Sequence, residues 1–153
     1  MKTKITKKKI IIGVVLLVIV IQIFRMDKTV KPVNPSTDFI ALTTPSAEVE
    51  TLLKIACYDC HSNQPSFPWY TNVAPISWWI KHHIDEGRQE LNFSDWGTYS
   101  DKRKKHKLEE CIEMIEENEM PIASYTWMHK DAKLTDAQKL QLIEFFRAIK
   151  QTP

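Results

Sequence analysis

Glycine is nearly missing from this chain: three in 153 residues. So few glycines, beside long Glu/Lys-rich stretches, exclude a fold built on tight hairpins and point to helices. Cysteine is scarce and odd in number, at three, which excludes a disulfide scaffold. There is no second C-x-x-C and no H-x₃-H. No internal repeat and no low-complexity tract interrupts the chain. Acidic residues are absent from residues 1–26, which hold Lys2, Lys4, Lys7, Lys8, Lys9 and Arg25. The net charge of +2 therefore hides an acidic remainder, residues 27–153, with 15 cations against 19 acids, which carries no nucleic-acid footprint.

Beyond the N-terminal lysines the chain turns apolar. Ile10 to Phe24 is interrupted only by Gly13 and Gln22. Fifteen helical residues cover about 22 Å, short of the ~30 Å hydrocarbon core of a bilayer. Counting from Ile5 to Met26 gives about 33 Å if Lys7, Lys8 and Lys9 snorkel to the headgroups. No polar face would let such a helix meet water. The run exits into QIFRMDKTVK, which offers no small-residue cleavage site. Residues 1–26 are thus expected to be an uncleaved transmembrane anchor. The lysines favour the cytoplasmic side for its start and place the rest of the chain outside the cytoplasmic membrane. Pro32 and Pro35 make residues 27–44 an extended linker.

The domain is expected over 45–153. Pro45 suits the first position of a helix that Thr44 would cap. Val49, Leu52, Leu53 and Ala56 make its apolar face. ISWWIKHHIDEGR reads as a second helix, with Gly87 near its end. A third runs from about Asp101 to Asn118 with a stripe of Leu108, Cys111, Ile112 and Ile115, its glutamates facing water. The last begins at a capping box, Thr135 to Gln138, and buries Leu142, Phe145, Phe146 and Ile149. Trp69, Tyr70, Trp78, Trp79, Trp96 and Trp127 are expected mostly to fill the core.

At the end of the first domain helix stand Cys57, Cys60 and His61, as C-x-x-C-H. A thioredoxin-type pair needs a βαβ context that a helical chain lacks. A structural zinc site needs four ligands, so His82, His83 or Cys111 would have to complete it. A disulfide across so short a loop is strained. Covalent attachment of haem c meets none of these obstacles. Two cysteines at this spacing match the porphyrin vinyls, and the adjacent histidine turns onto the iron.

The stretch ACYDCHSNQPSFPWYTNVAPISWWIKHHIDEGRQELNFSDW, followed by EMPIASYTWMHKDAKLT and a last helix, resembles the bacterial haem-binding domain family over about residues 32–150. The distinctive steps are C-x-x-C-H-S-N, P-W-Y, A-P-x-S-W, E-G-R, L-N-F-S and the M-P before the final helix. The resemblance implies an all-α fold and one covalent haem c on Cys57, Cys60 and His61. Maturation of such a haem outside the cytoplasm agrees with an anchor in the bacterial inner membrane and a periplasmic domain.

His61 fills one axial position of the iron. Met120 is the expected sixth ligand, because a loop methionine followed by proline is similar to the arrangement in class I cytochromes c. His129, Met128, His82 and His83 compete for that place, and His106 in KRKKHK reads as solvated. Arg88 reads as a surface residue that could instead hold a haem propionate, and Cys111 as an inert buried thiol. Together these readings describe a cytochrome-c-like helical domain behind one transmembrane helix. Its function would be one-electron transfer to an unknown redox partner rather than catalysis. The alternatives are a gas or redox sensor, a peroxidase-like module with an open sixth site, or an assembly subunit that haem merely stabilises.

Overall fold

The computed structural model describes residues 6–151. Lys2, Lys4 and Ile5, which the anchor reading uses, lie outside the described residues. The described residues are helical, with no strand among them.

The first helix, α1, is Lys7–Ile21, and its side chains up to Val20 are exposed. It is shorter than the span from Ile5 to Met26. Among the described residues no helix is long and apolar enough to cross a membrane. α1 stops where a residue distant in sequence meets it: Gln22 turns its amide to the backbone of Ala74, donating to the carbonyl and accepting from the N–H, both at 3.0 Å.

The linker expected over 27–44 is also partly built structure. Asp38 caps a five-residue helix, α2, Phe39–Thr43, by accepting from the N–H groups of Ile40 and Ala41. Phe39 is completely buried. Thr44 ends α2 in a left-handed conformation and caps nothing downstream. Ser46 caps the next helix instead, its hydroxyl accepting from Val49 N–H. That helix, α3, Ala47–Leu53, runs on through a π-helical turn, Lys54–Tyr58, into a last turn, α4, Asp59–His61.

The remaining helices are α5, Ile76–Glu90; α6, Asp101–Glu116; α7, Ala123–Met128; and α8, Asp136–Gln151. Three of them fall close to expectation, while α7 forms within EMPIASYTWMHKDAKL, a segment expected to be irregular. The capping box opens α8: Thr135 N–H donates to Gln138 Oε1 at 2.8 Å, and Gln138 N–H to Thr135 Oγ1 at 3.3 Å.

Two compact units emerge. One consists of residues up to 29 with Ser66–His83; the other of Val30–Pro65 with residues from Ile84 onward. The second holds the core: Phe39, Leu53, Phe93, Leu108, Leu142 and Phe146 are almost wholly removed from water. Burying each such side chain favours folding by about 1.5–3 kcal/mol. α8 packs on α6 and on α3, so the helix leading into the cysteine motif is braced by the last helix of the chain. Arg147–Glu116 and Lys150–Glu109, both 2.6 Å, join α6 to α8 on the exposed side, where such pairs contribute little.

The expectation that the tryptophans fill the core holds for Trp96 alone. Trp69, Trp78, Trp79 and Trp127 are exposed.

Candidate haem site

Cys57 lies in the π turn and Cys60 and His61 in α4, so one continuous helical stretch carries the whole motif. π turns insert one residue into a helix and re-aim the side chains around it, and they recur at functional sites. All three cysteines are free thiols. Burial pushes the Cys57 thiol up to about 12, with the Cys60 sulfur adding to the effect. Burial and then the Asp59 carboxylate push Cys60 up to about 11. Both are therefore protonated at neutral pH and neither is a reactive thiolate.

His61 is positioned by the C-terminal end of α5. Its Nδ1 lies 2.9 Å from the carbonyl oxygen of Gly87 and 3.1 Å from that of Leu91. Carbonyl oxygens only accept, so Nδ1 carries the proton, and the neutral ring's lone pair is on Nε2. Burial also holds the imidazole below its ordinary pKa, with the two carbonyls opposing that shift in part. The acceptors belong to the negative end of a helix, which raises the basicity of the opposite nitrogen. A neutral imidazole whose tautomer is fixed by backbone carbonyls is the state a metal-ligating histidine requires.

Gly87 is what lets α5 come this close. A Cβ at this position would stand 2.9 Å from the carbonyl oxygen of Cys60 and 3.2 Å from its Cβ.

The residues after the motif form a buried polar lock. Ser62 Oγ donates to Tyr58 O at 2.7 Å, and Asn63 N–H to Ser94 Oγ at 3.0 Å. Asn92 Nδ2 donates to Asn63 Oδ1 at 3.1 Å, while Ser94 N–H returns to Asn92 Oδ1 at 3.0 Å. Ser62, Asn63, Asn92 and Ser94 are all buried. Buried polar groups that satisfy one another specify one arrangement. This network ties the H-S-N and L-N-F-S steps of the sequence to each other. Arg88 is half-buried rather than on the surface. Its Nε donates to Ser62 O at 2.7 Å, while its Nη2 is buried with no hydrogen-bond partner.

Met120 is half-buried in the turn after α6, its N–H donating to Met114 O at 3.1 Å. The helix after it docks on the motif: the Tyr125 hydroxyl donates to Asp59 Oδ2 at 2.8 Å and reaches Ile55 O at 3.1 Å. His129 stacks on Tyr125, ring centroids 4.0 Å apart. Met128 is exposed. His106 is solvated and pairs with Glu110 at 3.2 Å. His82 and His83 belong to the unit formed with residues 66–83. No group of three or more His, Cys, Asp or Glu side chains suited to a metal ion exists among the described residues, so the four-ligand zinc alternative has no support. Cys111 is half-buried on its stripe, its thiol pushed up by burial.

The family model of the haem-binding domain matches residues 16–148. The chain belongs to this family. Comparisons with curated proteins and with solved structures find no match. The haem-binding domain's own residues fit the group. One imidazole nitrogen is left unprotonated, two free thiols precede that histidine on one helical stretch, and a buried guanidinium nitrogen lacks a partner of the kind a carboxylate supplies.

Sequence reasoning misses the π turn, the Gly87 approach and the polar lock. Gly87 carries a signal, because a glycine inside a helical pattern costs stability and marks a close approach.

Proposed function

We propose that this haem-binding domain is a membrane-attached monohaem c-type cytochrome that carries single electrons to and from a redox partner protein. The observation that carries the reading is the Nδ1–H of His61, committed to Gly87 and Leu91 beside the free thiols of Cys57 and Cys60.

In this reading Cys57 and Cys60 would hold the porphyrin by thioether bonds, and His61 would bind the iron through Nε2. Met120 would supply the second protein ligand, a neutral thioether that favours Fe(II). Arg88 Nη2 meets a propionate. The bound iron supplies a one-electron couple between its ferrous and ferric states. Were both ligands to come from the protein, the iron would keep no site for a substrate, and transfer rather than catalysis would be its chemistry. The carbonyls on His61 keep its ring from rotating and donating poorly.

Attachment to the bacterial inner membrane rests on α1, which exposes an apolar surface all round and starts among lysines. The lysines favour the cytoplasm for that end and the periplasm for the domain. An alkaline phosphatase fusion after Lys150 is then active; an inactive fusion contradicts this orientation.

The test of the electron-transfer reading is the optical spectrum of the full chain, oxidised and reduced, with and without CO. A six-coordinate low-spin haem indifferent to CO is expected. A ferrous haem that binds CO readily at neutral pH overturns it in favour of a sensor or peroxidase-like module.

A further inference from the structure

The unit made of α1 and residues 66–83 holds no part of the cysteine motif, yet it is built with care around one spot, the C-terminal end of α1. Gln22 is the polar exception in the apolar run, and both ends of its amide are used on Ala74, at 3.0 Å each. Trp78 Nε1 donates to the carbonyl of Phe24 at 2.6 Å. Lys28 Nζ donates to Thr71 Oγ1 and Asn72 Oδ1, both at 2.8 Å, and lies over the Phe67 ring. Residues 67–78 are thereby fastened to residues 22–28.

Around this joint the large side chains point outward. Ile23 is 76% exposed, Trp69 74% and Trp79 48%, with Phe24, Ile76 and Trp78 also exposed. Exposed apolar and aromatic side chains gathered on one short joint mark an interaction site. It continues directly from α1, so the two surfaces call for the same solvent. Three features select lipid over a protein groove. Tryptophan, with an apolar ring and one donor, is favoured at the membrane–water boundary. The backbone groups at the helix exit, Ala74 N–H, Ala74 C=O and Phe24 C=O, are satisfied by Gln22 and Trp78 without water, as an apolar surrounding demands. And α1, about 22 Å long, falls about 8 Å short of a hydrocarbon core, a deficit that an aromatic collar at its end makes up. The Lys28 ammonium, bonded to Thr71 and Asn72, marks the wet edge.

We infer that residues 67–79 form a lipid-contacting collar, seating Trp69, Ile76, Trp78 and Trp79 in the phospholipid headgroup layer around the C-terminal end of α1. The inference rests on the reading of α1 as the membrane-attaching helix, and its test separates the two.

The haem-loaded full chain is reconstituted into vesicles of phosphatidylethanolamine and phosphatidylglycerol. A benzophenone-bearing phenylalanine stands at the position of Trp69, of Trp79 or, as control, of exposed Trp127. Flotation reports attachment, and mass spectrometry after illumination reports what each position touches. Phospholipid adducts at positions 69 and 79, several-fold above position 127, are expected, and Gln22→Ala should lower them while flotation persists. A chain that floats but gives no lipid adduct at 69 or 79 overturns the collar and leaves the helix reading standing. Adducts there to a second copy of the chain overturn it in favour of a protein interface. A chain that does not float overturns both.

Discussion

Gly87 accepts the Nδ1 proton of His61 at 2.9 Å from a helix that no residue with a side chain could bring so near. Gly87 thus shares with Leu91 in setting the tautomer of the histidine and itself sets the spacing between α5 and Cys60.

Gly87→Ala tests this relation. The added Cβ meets the Cys60 backbone oxygen at 2.9 Å, and backbone cannot swing aside as a flexible side chain does. α5 must back away and loosen its hold on His61. Such overpacking costs about 1–3 kcal/mol. Haem content and the denaturant midpoint of the purified chain should both fall. Full haem loading at wild-type stability contradicts the account.

The thiols give a pH prediction. Free of haem, Cys57 and Cys60 titrate near 12 and 11 in the folded chain, against about 8.5 when unfolded. A group whose folded pKa is raised stabilises fully below its unfolded value, and that contribution is lost as pH rises through the folded one. The stability of the haem-free chain should therefore fall between about pH 8.5 and 11, by up to about 1.4 kcal/mol per pH unit for each thiol. With both sulfurs in thioether bonds, their share of that fall should be absent, leaving that of the buried Cys111 thiol. Alkaline denaturation profiles of the two forms check it, and identical slopes contradict covalent attachment.

Ligation is tested by unequal mutants. Met120→Ala should remove the iron–sulfur charge-transfer band, lower the potential and admit CO, while the haem stays attached. His129→Ala should leave the spectrum nearly unchanged, since the ring is stacked on Tyr125. Disturbance by His129→Ala but not by Met120→Ala indicates a bis-histidine site.

Much of this is legible in the sequence because it rests on periodic or local signals. Leu108 and Ile115, and Leu142 and Phe146, repeat at helical spacing and are buried as that spacing requires. Thr135 and Gln138 satisfy each other within one turn. The hidden parts depend on residues far apart in the chain. Nothing near Gln22 shows that its amide will meet Ala74, so the apolar run alone carries α1 on too far. Phe39 sits in a helix too short to display a period, behind two prolines that read as linker. The tryptophans look like core by composition, and only their neighbours decide that Trp96 is inside and Trp69 outside. Within the site, Cys57, Cys60 and His61 are readable from spacing alone. The π turn beneath them is not, because tertiary packing, not propensity, holds such a turn.

The most direct test of the central claim is acid–acetone extraction of the full chain made with a cytochrome c maturation system, beside its Cys57→Ala, Cys60→Ala double variant. The account predicts that haem stays with the wild-type polypeptide through extraction and that the double variant releases all it holds. Haem extracted completely from the wild type, or a wild-type chain that takes up none, contradicts the account.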